Sequence, residues 1–359
     1  MSCFSISNVR IVGVSGAVPS KVEYNKDLSV FTAAEAEKFI ESTGVVSRHV
    51  SKVLLSSDLC TAAADRLLNE LGWERDSVDE LVVVTQSPDF FRPSNATLIQ
   101  RRLGLSKECA AYCISFGCSG WVYGMQSAAG MIAMGAKRVL LCCGEGIQAY
   151  NPLDKSAYPL FGSAGTCTAL EFKEGASSID FHLGTDGEGW NAICMPDGGY
   201  RNPCNARSYE LIEYEGGARR TRMNTAMNGM DVFTFGISRP PKSIKELCMK
   251  YEIDIGAIDY LLLHQANLFL NAKIAKKVGV PWEKCPHNIE EYGNSSSGTL
   301  PLLMATRIQD HLRERPCEMI ACAFGVGLSW GSVHFHTDGV VIPEIVLVED
   351  SYADVQPFE

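Results

Sequence analysis

Positive charge is in short supply. The 359 residues hold 32 Lys and Arg against 42 Asp and Glu, a net charge of −10. A phosphate backbone wants a basic surface, so nucleic acid is not expected as a partner. Long apolar runs are missing as well. No stretch approaches the roughly 20 residues that a membrane-spanning helix needs, so no membrane is expected. The start, Met1-Ser2-Cys3-Phe4-Ser5, has neither the basic residues nor the apolar core of a secretory leader. Cysteine is plentiful, at 14, yet no two stand in a C-x-x-C pair. Zinc clusters use that spacing, so neither metal nor bound cofactor is expected. Cys142, Cys143, Cys248 and Cys322 lie in apolar runs instead. A reduced, cytoplasmic protein is the simplest reading.

What is present is ordinary for a globular enzyme, with 46% apolar and 21% charged residues. Asn8–Ser15, Val78–Thr85, Ala110–Ser115 and Arg138–Cys143 read as buried strands. Ala33–Glu41, Ser57–Leu71 and Ser94–Leu103 read as helices between them. That alternation predicts an α/β fold with a parallel or mixed sheet covered on both faces. The second half resembles the first. Ile258 opens a strand 180 residues after Val78, and Met319 opens one 180 residues after Val139. One shared offset predicts an internal duplication, with halves 1–175 and 176–359. Gly184–Gly217, rich in Gly, Asn, Asp and Pro, is expected to form loops over a pocket. The tail ends acidic and suggests no function.

Chemistry concentrates around Cys118. Cys113-Ile114-Ser115-Phe116-Gly117-Cys118-Ser119-Gly120 leads into an almost uncharged run that reaches Ala136 without a proline. Apolar residues on all sides suit a helix buried all round. Cys118 is expected in its first turn, where unpaired N–H groups and the dipole favour a thiolate. A thiolate nucleophile also needs a proton partner and oxyanion donors. His264 follows the buried strand Asp259–Leu263 directly, in His264-Gln265-Ala266-Asn267. A lone His is more often structural, but the end of a sheet strand is where α/β active sites collect. Tyr292-Gly293-Asn294-Ser295-Ser296-Ser297-Gly298 is a polar turn that can present a rigid amide, which donates without titrating. Phe324-Gly325-Val326-Gly327-Leu328-Ser329-Trp330-Gly331 is a glycine-rich turn suited to offering a backbone N–H.

Together these motifs resemble the β-ketoacyl-acyl-carrier-protein synthase III group of the thiolase superfamily, from about Val9 to Phe335. Ser42-Thr43-Gly44-Val45, Pro93-Ser94, Pro196-Asp197-Gly198-Gly199 and Gly229-Met230-Asp231-Val232-Phe233 match it too. The resemblance implies the duplicated, five-layered α-β-α-β-α thiolase fold with mixed sheets, and a homodimer. It implies that Cys118 takes an acyl group from acyl-ACP or acyl-CoA. His264 and Asn294 would then drive decarboxylative Claisen condensation with malonyl-ACP. The backbone N–H groups of Cys118 and Val326 would form the oxyanion hole, and Lys276 and Lys277 would dock an acyl carrier protein. An alternative keeps the acyl-Cys118 but passes the group to an oxygen or nitrogen nucleophile or to water.

The chain also departs from that pattern. A Trp and an Arg that grip coenzyme A in relatives fall on Lys38 and Ser42. A carrier-docking Arg falls on Phe269, and a Gly-Asp-Gly-Ala-Gly segment reads Gly162-Ser163-Ala164-Gly165-Thr166. These changes point to a specialised fatty-acid or polyketide-like pathway.

Overall fold

The computed structural model describes residues 2–350. The acidic end after Asp350 lies outside them.

Two principal sheets carry the fold. In chain order their strands are β1 (Ser2–Ile6), β2 (Val9–Pro19), β3 (Glu80–Val84), β4 (Ala110–Ile114), β5 (Arg138–Glu145) and β6 (Ala164–Phe172). Then follow β7 (Ile179–Thr185), β8 (Tyr260–Leu263), β9 (Cys317–Gly325), β10 (Ser329–Thr337) and β11 (Val346–Val348). The first sheet has the order β11-β2-β6-β5-β3-β4 and the second β1-β7-β10-β9-β8. Both are mixed. Within them, β2-β6-β5-β3 and β7-β10-β9-β8 have the same sense throughout: two antiparallel pairings, then a parallel one. Gly175 lies in the link between β6 and β7. The two terminal strands cross that division, β1 pairing with β7 and β11 with β2.

Helices follow where the sequence pattern allows a covered face. The seven used below are α1 (Ala33–Thr43), α2 (Ser56–Leu71), α3 (Asn95–Leu103), α4 (Gly120–Ala133), α5 (Gly229–Tyr251), α6 (Leu268–Val278) and α7 (Thr299–Arg307). Helix α1 starts at a Thr32–Glu35 capping box and stops at Gly44 in the left-handed conformation, which glycine adopts at no steric cost. Helices α2 and α3 cover the outer face of the first sheet through Ala63, Leu67, Leu68 and Ile99. Helices α5 and α6 cover the outer face of the second through Ile244, Leu247 and Ile274. Between the sheets lie α4 and α7, with Trp121, Met125, Leu300 and Met304 packed against residues of both, such as Leu141 and Ala321. This is the expected five-layered arrangement.

Helix α5 runs through Pro240 and Pro241. Those residues read as breakers, and the sequence reading assigned no helix there. A proline donates no hydrogen bond to the carbonyl four residues earlier. For Pro241 that carbonyl belongs to Ile237, and the Lys277 ammonium donates to it instead, at 2.8 Å.

One ion cluster ties four strands of the second sheet. His334 on β10 places Nδ1 3.0 Å from Asp180 on β7 and Nε2 3.0 Å from Glu318 on β9. Asp180 also accepts from the Ser5 hydroxyl on β1, at 2.5 Å. Two carboxylates on two ring nitrogens require the imidazolium. Burial opposes that charge, but Asp180 and Glu318 outweigh it and raise the imidazole above 6.5. A raised imidazole stabilises the fold in full below its unfolded value of about 6.5 and loses that as pH rises through its folded value. We therefore expect His334→Gln to lower Tm most at pH 6 and progressively less as pH climbs. A Tm gap that stays constant or widens with pH counts against the cluster.

Candidate active site

The nucleophile candidate sits in a turn with no spare room. After β4 the chain closes a tight turn in which the Gly120 N–H donates to the Gly117 carbonyl at 2.7 Å. Ser119 caps α4 and Gly120 is its first residue. Cys118 thus stands just before the helix, not in its first turn as the sequence suggested. Glycine is needed around it. A Cβ on Gly120 would lie 2.5 Å from Val84, and one on Gly325 would lie 2.5 Å from the Cys118 Cβ.

Thiolate formation is also not favoured as expected. Burial pushes the Cys118 thiol up to about 11, and the nearby Glu145 carboxyl adds to this. Pulling the other way are the Ser296 hydroxyl, 3.8 Å from Sγ, and the backbone N–H groups of Cys118 and Val326. At this buried position desolvation of the anion outweighs the donors and the helix end.

His264 extends β8 by one residue, its N–H donating to the Cys322 carbonyl at 2.9 Å. The loop behind it is pinned. Asn271 donates to the His264 carbonyl at 3.1 Å, and the Asn288 N–H donates to Gln265 Oε1 at 3.2 Å. Burial depresses the imidazole to about 3, so it is neutral. Its Nδ1 lies 2.7 Å from the Thr299 hydroxyl, which itself reaches the Ser296 carbonyl at 3.0 Å. The single Thr299 proton therefore decides the tautomer.

Asn294 follows Gly293, which has a φ of 62°. Its backbone is clamped to the loop before β6. Its N–H donates to the Leu160 carbonyl at 2.9 Å, and its carbonyl accepts from Gly162 at 3.1 Å. Its side-chain Oδ1 accepts from the Ser296 N–H at 2.8 Å. That fixes the amide and leaves its NH2 end to donate elsewhere.

Cys118 and Asn294 both border two cavities. The smaller, about 160 Å3, is shared with His264, Asn267, Phe233 and Gly325. The larger, about 360 Å3, is lined as well by Val326, Ser87, Tyr150 and Glu145. Ile193 and Met195, from the loop region predicted to cover a pocket, line the larger one.

The other expected residues lie apart from these cavities. Lys276 and Lys277 are exposed on the last turn of α6, and Lys277 is engaged with Ile237 as described. Lys38 and Ser42 are exposed on α1. The Ser42 hydroxyl returns to the Phe39 carbonyl at 3.1 Å.

Three residues escaped the sequence reading. Gly325 was only part of a glycine-rich turn, and Thr299 lay beyond the polar turn. Glu145 follows the apolar strand Arg138–Cys143, as His264 follows Asp259–Leu263, and that parallel could have found it. Glu145 is buried, accepting from the Gln86 N–H at 2.7 Å and the Ser87 hydroxyl at 2.6 Å.

Two packed sheets whose facing turns gather a cysteine, a histidine and an asparagine define a condensing enzyme of the thiolase superfamily. Comparison with known proteins agrees. The sequence model described as "3-Oxoacyl-[acyl-carrier-protein (ACP)] synthase III" matches residues 113–187, and its C-terminal counterpart matches residues 248–337. The chain belongs to the β-ketoacyl-[acyl-carrier-protein] synthase III family and is an acyltransferase. It is 31% identical over 330 residues to the β-ketoacyl-[acyl-carrier-protein] synthase III of Desulfitobacterium hafniense (strain Y51), covering 90% of this chain and 96% of that one. A Lactococcus lactis (strain IL1403) synthase III is 30% identical, covering 90% and 97%. The crystal structure of 3-oxoacyl-(acyl-carrier protein) synthase from Burkholderia xenovorans LB400 superposes with a TM-score of 0.90 at 34% identity, covering 96% and 99%. OleA of Xanthomonas campestris, at 16% identity and a TM-score of 0.77, covers 92% of this chain and 98% of its own and shares the fold. Among the described residues no helix is long and apolar enough to cross a membrane.

The Cys118 environment sets a pH dependence. Iodoacetamide reacts with the thiolate. We expect alkylation of Cys118, followed by peptide mass spectrometry, to keep accelerating with pH up to about 11. A plateau reached near neutral pH would restore the thiolate picture.

Proposed function

We propose that Cys118 carries an acyl group and that His264 and Asn294 drive its condensation with a malonyl-acyl-carrier thioester. The supporting observation is the cavity that Cys118, His264 and Asn294 share. In the first half-reaction the Cys118 sulfur attacks the donor thioester. The N–H groups of Cys118 and Val326, which both favour the anion at Sγ against burial, are the donors we assign to the oxyanion. The donor's thiol leaves, taking up the proton that Cys118 releases.

In the second half-reaction the malonyl thioester carbonyl lies between His264 and Asn294. Loss of CO2 leaves an enolate, whose carbon attacks the acyl-Cys118 and expels the Cys118 thiolate, which takes up a proton from solvent to restore the thiol. Asn294 can donate through its NH2 end because Ser296 holds the other end. His264 can donate through Nε2 only when Nδ1 is the acceptor, so the Thr299 proton must point to Nδ1. Neutrality suits both groups, since a neutral donor pays less desolvation before charge develops. We read the chain as two thiolase-like halves, 1–175 and 176–359, forming a homodimer. Lys276 is the better placed of the two lysines for an acidic carrier, because Lys277 is already engaged.

This division of labour is testable. Cys118→Ala should abolish acyl transfer. His264→Ala and Asn294→Ala should abolish CO2 release from malonyl-carrier while leaving slow self-acylation of Cys118, read by intact-protein mass. Thr299→Val should cut CO2 release by roughly tenfold or more, as loss of a well-placed donor does, with acylation less affected. A His264→Ala protein that releases CO2 normally would refute the assignment.

The donor follows from α1. Lys38 can offer a point charge to phosphate but cannot stack, and Ser42 carries no guanidinium. Losing an aromatic stack of about 1–3 kcal/mol and a charge-assisted contact of roughly 1.5–3 kcal/mol weakens the grip on a nucleotide. The same acyl group is therefore expected to reach Cys118 faster from an acyl carrier protein than from coenzyme A, in a specialised fatty-acid or polyketide-like pathway. Equal or faster acylation from coenzyme A would overturn this.

A further inference from the structure

The mechanism above leaves Glu145 without a task. A carboxyl side chain buried among neutral groups is costly unless something uses it. Glu145 closes β5 and lines the larger cavity, on which Cys118 also borders. The groups that hold it are neutral: the Gln86 N–H on one oxygen and the Ser87 hydroxyl on the other, with further support from the Thr85 hydroxyl and the Ser87 N–H. Only the first two make full hydrogen bonds, so the roughly four acceptor positions of a carboxylate are not all taken up. The rest of the wall is mixed. Phe161, Ile193 and Val326 are apolar, while Ser115 and Thr225 add hydroxyls. His264 borders the smaller cavity, where condensation is placed, so the acyl chain on Cys118 has the larger cavity to occupy. An unfunctionalised alkyl chain there would lie against an acid it cannot satisfy.

We propose that Glu145 selects the acyl group, accepting a hydrogen bond from a hydroxyl or ammonium carried on the chain near the thioester. The preferred primer is then a short hydroxyacyl or aminoacyl group and not a plain alkanoyl one. Burial, opposed by Ser87, Gln86 and Thr85, pushes Glu145 up to about 7, so its ionised form is available at neutral pH to accept from a hydroxyl or pair with an ammonium. Cys118 and Tyr150, which border the same cavity, are both raised by burial and remain uncharged there.

The inference rests on Cys118 as acyl carrier, and one experiment separates the two. The full-length protein is offered N-acetylcysteamine thioesters of butyrate, 3-hydroxybutyrate and 3-aminobutyrate. Acylation is timed by mass spectrometry, with Cys118→Ala as the background for the other cysteines. At least one polar donor should acylate the wild type about tenfold or more faster than butyryl, because a site built to bond a polar group rejects the analogue lacking it. Glu145→Ala should bring that ratio to about one. Glu145→Gln should keep part of a hydroxyl preference and lose an ammonium preference, which tells the two ligands apart. Butyryl acylating the wild type as fast as every polar donor overturns the proposal, whether or not Glu145→Ala folds. A preference that survives in folded Glu145→Ala does the same. A protein that no donor acylates overturns this inference together with the role of Cys118.

Discussion

Helix α4 hides most of its surface and keeps one half-buried stripe, at Tyr123, Gln126, Ser127 and Gly130, instead of being buried all round as the sequence suggested. Trp121, Val122, Met125, Ala128 and Ala129 are all buried, and an apolar surface that wide must be covered from more than one side. A single sheet covers only one side. The second sheet supplies the other, and each sheet's outer face then needs its own helices. Five layers follow from that requirement. The turn that starts α4 is thereby held between the ends of both sheets. Gly120 packs against Val84 at the end of β3, and Gly325 at the end of β9 packs against Cys118. Positioning the thiol and building the core are the same act of packing.

Burial keeps the thiol and the imidazole of the site uncharged. The Cys118 thiol is pushed up and the His264 imidazole down, while Glu145, pushed up to about 7, is divided between its two forms at neutral pH. Neither Cys118 nor His264 gains much by ionising alone in such surroundings. Charge has to appear on the reacting atoms, where donors already point, and not on the side chains beforehand. Preorganised donors in a dry site need no rearrangement when that charge develops. The rigidity of the Asn294 amide and the Thr299 contact to His264 serve this end.

Much of this was legible in the sequence, for reasons that differ by residue. His264 and Asn294 were visible because a polar cluster directly after an apolar strand, or between two helical stretches, has few other uses. Strands β2, β3, β5, β8 and β9 were visible because burial on both faces leaves a continuous apolar run, whereas β6 and β7 were not read from the sequence. The charge state of Cys118 was not visible, since a helix terminus can be read from sequence but the depth of burial around it cannot. Helix α5 was hidden by Pro240-Pro241, whose lost donor is replaced by a lysine 36 residues further on, at 277. Strand β1 was hidden because its partner, β7, is far away in sequence. Gly325 and Thr299 matter through single close contacts, which leave no local pattern.

Strands β5 and β9 hold the same place in their sheets, and they end differently. At the end of β9 stands Gly325, whose missing side chain makes the room that Cys118 occupies. At the end of β5 stands Glu145, a full side chain whose carboxyl borders the larger cavity. A fold that repeats its strands must break the repeat where it needs one nucleophile and one acyl pocket. The glycine marks the side where the chain yields space to the reacting sulfur. The glutamate marks the side where the protein puts a polar group in reach of what that sulfur carries. An apolar residue would have filled the position of Glu145 at lower cost, so the acid is retained against its own desolvation. Ser87, Gln86 and Thr85 offset part of that cost, and a donor carried on the acyl chain would offset more of it.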